Sequence, residues 1–234
     1  MVAAVHYSGD RYWELRSRDM YPGTHVTDPL THLNFIFLMK IAKIVSSNSH
    51  IDYIGRVIDD LDVENPPGSS DYGFAQFVSI PMETEEIVGV IYDSKLVNPE
   101  YANYGPRLSP KPALGNFSPD YLNEQGILIG ILLLGSLDGG GKINHGVPRR
   151  IVPAGQDVLK LDAVAVRSFH TDENDCLQIH YYSQVIAHAG LFAVPLLETT
   201  IKQLSLDCSE IESQKLVVLS QTLAWQRTIG GMRF

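Results

Sequence analysis

The chain has 234 residues, of which 44% are hydrophobic and 19% charged, with a formal net charge of −9. That is the profile of an ordinary soluble globular protein with a real core, sized for one good domain or two small ones. The acidic balance repels phosphates and makes nucleic acid an unlikely partner, leaving an OB-like binding mode ranked last.

Residues 1–38 mix aromatics, charges and turn formers without periodicity. They are expected to be an extension, disordered or the product of a misassigned start, with Met39 as the natural beginning. The competing view is an arm packed by Tyr12, Trp13 and Tyr21. No basic stretch leads into an apolar core here, so no secretory signal is expected. Leu33–Val45 is apolar but broken by Lys40 and Lys43.

From Ile51 the text becomes β. "IDYIGRVIDD" is a β-branched run bounded by acidic residues. A proline- and glycine-rich loop (64–73) follows, then a strand in "FAQFVSIP", a charged turn in "METEEI" and a strand in "IVGVIYDSKL", the last two strands forming a hairpin. Gly55 and Gly89 suit bulges or the tight bends of a small barrel. Glu83, Glu85 and Glu86 read as a charged hairpin that keeps an edge from pairing.

Val97–Gln125 is a long interruption with five prolines and three tyrosines. Connections of this length tend to be functional or disordered. Ser118 and Pro119 predict a short helix to about Glu124. "GILIGILLLGSL" (126–137) is a fourth strand. It is apolar on both faces and therefore central, and too short for the roughly 20 residues of a membrane span. "GVPRRIV" is expected as a short fifth.

After Pro153 the period changes to helical. "GQDVLKLDAVAVRSFH" puts Val158, Leu161, Ala165 and Phe169 on one helical face. "DCLQIHYYSQVIAHAG" reads as a second helix, and Pro195 starts or kinks a third. The last helix, from Ser209, carries a Ser209–Glu212 capping box and stops at Gly230. The expected organisation is α+β: an extension (1–38), a small antiparallel β-barrel (39–153, interrupted at 97–125) and a helical C-terminal subdomain (154–234).

The stretch "ILLLGSLDGGGKINHG" invites a phosphate-loop reading. With Gly141-Lys142 as the glycine–lysine pair, the first glycine of that motif falls on Ser136, and Ile143 stands where a magnesium-binding hydroxyl is needed. A turn between strands is the better reading. Asp59, Asp60, Asp62 and Glu64 fit a solvated loop rather than a calcium loop. His170, Cys176, His180 and His188 match no zinc spacing. Arg149 and Arg150 form a lone basic pair able to grip a carboxylate or phosphate, with an ordinary surface pair as the alternative. No G-x-S-x-G elbow occurs. Cys176 and Cys208 lie far apart and read as free thiols in a reducing cytoplasm.

Five pieces together, "YIGRVID" (Tyr53–Asp59), "FVSI" (Phe77–Ile80), "IVGVIYDSKL" (Ile87–Leu96), "ILIGILLLG" (Ile127–Gly135) and "RRIVPAGQDV" (Arg149–Val158), resemble a HAS barrel. This is the module shared by HerA-type translocases and the ATP synthase catalytic-head subunits. The resemblance spans roughly residues 51–160. It implies the module and not the motor, because the ATPase core and its Walker motifs are absent. In that family the barrel serves assembly and supplies no catalytic residue.

The expected function is therefore a cytoplasmic, non-enzymatic assembly module without cofactor or metal. It would bind a protein partner, such as a ring ATPase, or its own copies. Tyr101, Tyr104, Tyr121 and Trp225 are the candidate anchors. The alternative is a nucleotide- or phosphate-binding enzyme subunit using the 135–150 loop.

Overall fold

Among the described residues, strand structure starts at Lys40, ahead of the Ile51 at which the sequence turns β. The computed structural model describes residues 39–97, 126–174, 176–205, 212, 214 and 216–221. All of them belong to one unit. The first strand, β1 (Lys40–Ser47), pairs antiparallel with β2 (Asp52–Val57). Its register slips between Lys40 and Ala42 against one neighbour and between Ile44 and Ser46 against the other. Each bulge inserts a residue and breaks the period-two pattern, which is why "KIAKIVSS" does not read as a strand.

The remaining strands are β3 (Phe77–Pro81), β4 (Glu85–Val97), β5 (Gly126–Asp138), β6 (Ile143–His145) and β7 (Asp157–Lys160). Their order is β2-β1-β7-β3-β4-β5-β6, and β2 also pairs with β5. Six strands thus close into an antiparallel barrel, and β6 hangs on the far end of β5. Closure matters energetically because it leaves the ring without the unpaired N–H and C=O groups of an open sheet.

Three expectations about this region are met. The β3–β4 hairpin is present, pairing Phe77 with Val90 and Pro81 with Glu86. Gly89 sits at a bulge, and a Cβ there would lie 2.8 Å from Ile131 Cγ2. β5 is central: it is flanked by β4 on one side and by β2 and then β6 on the other. Both its faces are buried, with Ile129, Ile131 and Leu133 on one and Leu132 and Leu134 on the other.

Others are corrected. Glu85 and Glu86 do not guard an edge, for both lie in the ladder of β4, opposite Asp138 and Pro81. Glu86 accepts a hydrogen bond from the Ser79 hydroxyl. The fifth strand is Ile143–His145 rather than "GVPRRIV". Gly146 at φ 123° turns the chain away, and Pro148 has no N–H to give a ladder. "GQDVLKLDAVAVRSFH" is not one helix. Asp157–Lys160 is the strand that closes the barrel, pairing Val158 with Ala42 and Leu159 with Ser79. The barrel therefore runs past Pro153 into the region expected to be helical. Helix α1 (Ala163–Phe169) begins only where the Asp162 carboxylate accepts from Ala165 N at 2.7 Å.

The second helix, α2 (Tyr182–His188), is also shorter than expected. Before it, the Asp172 carboxylate accepts from Asn174 N and Cys176 N, and Thr171 bridges Leu177, so the chain loops back. A 3₁₀ turn (Gly190–Phe192) leads into α3 (Ala193–Leu204), whose first turn holds Pro195 without a kink. The hydrophobic core is continuous from the strands to Leu196, Leu197, Ile201, Leu204 and Leu216. Glu212, assigned to a capping box, places its carboxylate on Arg167 at 3.0 Å. Ser209, Gly230, Cys208, residues 1–38 and the expected helix near 119–124 lie outside the described residues.

The sharpest steric demand is at Gly135. A Cβ there would lie 2.3 Å from Asn144 O, a backbone atom of β6. Gly135→Ala should push β6 off β5 and lower stability by about 1–3 kcal/mol. A urea midpoint unchanged from wild type would show that β6 yields freely.

Candidate functional site

The β5–β6 connection is a turn between strands, closed by its own hydrogen bonds. Gly139–Lys142 is a turn. Gly141 N donates to Asp138 O at 2.9 Å, and the Asp138 carboxylate accepts from Gly140 N at 3.0 Å and Lys142 N at 2.9 Å. Three of the loop's N–H groups are therefore held by Asp138, two by its carboxylate and one by its carbonyl. Lys142→Ala should leave the thermal midpoint within about 1 °C, since exposed changes of this kind stay within about ±0.5 kcal/mol. Asp138→Ala, which orphans two N–H groups, should cost about 1–2 kcal/mol. Equal midpoints for the two variants would contradict this reading of the turn.

Beside the turn lies a groove of about 820 Å³. Its floor is one face of the β4–β5–β6 ladder. Glu85 stands opposite Asp138 and Ser136 opposite Asn144, so these four side chains project the same way. Its wall is the segment Gly146–Arg150. That wall is pinned from behind: His50 Nε2 bonds Pro148 O at 2.8 Å, and Val152 N donates to the Tyr53 hydroxyl at 3.1 Å. The Arg149–Arg150 pair therefore sits on a supported rim rather than a loose surface loop. Arg150 Nε pairs with Glu85 Oε1 at 3.2 Å. Arg149 is exposed and has no ion-pair partner among the described residues.

Beneath the hairpin is a histidine cluster. His145, at the end of β6, donates from Nε2 to Phe169 O at 2.8 Å and accepts at Nδ1 from His180 N. His170 is fully buried. Its Nδ1 bonds Val166 O and its Nε2 bonds the Tyr181 hydroxyl, both at 2.6 Å. The Val166 carbonyl fixes a proton on Nδ1, and because burial keeps the ring neutral, Nε2 accepts from the Tyr181 hydroxyl. Burial pushes His170 down to about 4, with the Val166 carbonyl opposing. Burial likewise lowers His145, and the nearby His180 adds to it. Burial raises the Tyr181 hydroxyl above its ordinary value.

Three rings therefore meet, His145–His170 at 5.9 Å and His145–His180 at 5.7 Å between centroids. They form a packed polar network, and no metal-holding group of His, Cys, Asp or Glu occurs among the described residues. His170 and His180 were singled out by sequence, whereas His145 was not. Its only signal was its place after the glycine turn. His188 lies at the end of α2 and Cys176 is exposed and free. The acidic loop is held by one arginine: Arg56 pairs with Asp59 and Asp62, each at 3.3 Å.

The candidate anchors Tyr101, Tyr104, Tyr121 and Trp225 lie outside the described residues. The insertion's ends are placed, however, because Val97 pairs with Gly126.

A closed antiparallel barrel with short helices packed onto it defines a small-barrel α+β domain. Residues 32–233 match the model of a family described as a domain of unknown function (DUF8166), and the chain belongs to that family. A comparison with curated proteins finds no match. No helix among the described residues is long and apolar enough to cross a membrane.

Proposed function

We propose that the chain is a non-enzymatic interaction module of HAS-barrel type, docking on a protein partner, a ring ATPase or further copies of itself, in the cytoplasm. The observation that carries this reading is Leu191, which is 95% exposed in the 3₁₀ turn between α2 and α3. Next to it, the half-exposed Phe192 ring lies 6.0 Å from Phe74. An apolar patch on a structured turn gains by burial against another protein and costs little ordering there. The histidine network, whose two central rings spend their ring nitrogens on the fold itself, supports the same reading.

Leu191→Asp tests it. The substitution removes almost no packing, so the variant should unfold at the wild-type temperature. It should lose the assembly that wild type shows in sedimentation velocity and affinity capture. A folded Leu191→Asp protein that keeps every assembly would refute the surface.

A further inference from the structure

Among the described strands β6 pairs with β5 alone, so its end depends on contacts outside the sheet. His145 supplies them. Its ring lies against Phe169 at 4.5 Å and Tyr181 at 5.2 Å between centroids. Both ring nitrogens are tied to main chain. Phe169 O can only accept, so Nε2 carries a proton. His180 N can only donate, from 3.3 Å, so Nδ1 carries none. Two backbone groups of opposite polarity therefore demand one neutral tautomer. A second proton, on Nδ1, would point at the His180 N–H, donor against donor, and the bond there is lost.

The groups around the ring do not favour its charge. From the end of α1 comes His170, with both nitrogens engaged, and behind it Arg167, which pairs with Glu212. From the turn before α2 come the His180 ring and the Tyr181 hydroxyl. The groove's charges are remote. Asp138, with Glu85 opposite it, is three residues along β5 from Gly135, the partner of His145, or about 10 Å. Alternation also puts His145 on the face of β6 away from Asn144 and the groove. Glu86 shares His145's face but stands two strands over on β4, again about 10 Å away, and is bonded to the Ser79 hydroxyl. Arg149, Arg150 and His50, along the wall, can add only positive charge.

We propose that His145 is a pH-operated latch: protonation at Nδ1 releases the end of β6 from the layer formed by α1 and the turn before α2, while the closed barrel stays folded. Burial first, and then His180, disfavour the charged ring, with the Phe169 carbonyl opposing. The sign follows. The latch is shut at neutral pH and opens as pH falls below the ordinary histidine value of about 6.5. Gly146 follows His145 directly, so opening loosens the groove wall where it begins. The latch makes no use of the Leu191 surface, and either proposal can fail alone.

The test is a titration of the full-length, ¹⁵N-labelled protein from pH 7.5 to 5, read by ring-nitrogen and amide resonances and by amide exchange corrected for its intrinsic rate. At pH 7.5 His145 should show a protonated Nε2 and a bare Nδ1. The amides of His180 and Gly146, which donate to His145 Nδ1 and Leu134 O, should shift with the His145 midpoint and lose protection at least fivefold by pH 5. The amide of Leu133, which donates to Ile51 O inside the barrel, should keep its native resonance throughout. His145→Gln can still donate to Phe169 O and accept from His180 N but does not titrate. It should hold both amides within twofold over the same range. Three results overturn the proposal: an Nδ1–H tautomer at pH 7.5, as large a drop in folded His145→Gln, or loss of the Leu133 resonance together with those of His180 and Gly146.

Discussion

Leu132→Asp should abolish folding. Leu132 is fully buried at the centre of β5, opposite Val90 on β4 and Asp52 on β2. A carboxylate at this position enters the buried core. It faces Asp52 directly across the ladder, and the Asp52 carboxylate already accepts from the Tyr92 hydroxyl at 2.8 Å. Like charges on directly opposed positions add repulsion to the cost of burial. An unpaired buried charge costs several kcal/mol, against the ~5–15 kcal/mol that holds a typical domain together. Leu132→Met, which keeps the volume, should cost less than about 1.5 kcal/mol. Circular dichroism and soluble yield read both. A soluble Leu132→Asp protein with a cooperative melt would mean that β5 is not the centre of the barrel.

Acid should destabilise the protein through His170. The ring is neutral when folded, with its value pushed down to about 4, and ordinary, near 6.5, when the chain is unfolded. A depressed folded value gives stability that is complete above about pH 6.5 and lost as pH falls toward 4. The difference corresponds to about 3 kcal/mol across that window. His145, shifted in the same direction, adds to the loss. The depressed carboxylates do not confuse the measurement. Asp71, lowered first by its hydrogen bond from Lys160, and Asp157, lowered by Lys40 and Lys43 against the cost of burial, give up stability only below about pH 3.8. Urea unfolding at pH 7, 5 and 4 measures the effect. His170→Gln, which can still donate to Val166 O or accept from Tyr181, should flatten the curve. A wild-type stability that is level from pH 7 to 4 would show that His170 is not held neutral by the fold.

What the sequence made legible follows from how local each signal is. β5 announces itself because its residues 126–135 carry an unbroken apolar run, with neighbours pressing close at Gly130 and Gly135. The β3–β4 hairpin and the glycine turn are likewise local, set by a few residues and their own hydrogen bonds. β1 and β7 are not. β1 carries two bulges, and β7 has only four residues, "DVLK", that match a helix start as well as a strand. Only the two neighbours β1 and β3, each distant in sequence, make it extended. The groove shows the same division. Arg149 and Arg150 were visible as a basic pair. That they roof a floor carrying Ser136 depends on the β6 register and on His50 pinning Pro148 from 98 residues away. The histidine network is assembled the same way, from the end of one hairpin, the end of α1 and the turn before α2, and the helical reading of 155–170 had joined β7 to α1.

Barrel closure also sets a timetable for synthesis. Lys43 of β1 meets Asp157 of β7 across 114 residues of chain. At ~5–20 residues per second, a ribosome takes roughly ten seconds to make that stretch. Throughout this interval β1 has been made but its second neighbour has not. The N-terminal strands must wait on the nascent chain as an open sheet, with the β1 edge bare. The last strand works as a latch, and a ribosome stalled short of residue 157 would hold an unlatched, sticky intermediate. Ribosome-bound chains ending before and after β7 should therefore differ sharply in their need for a chaperone.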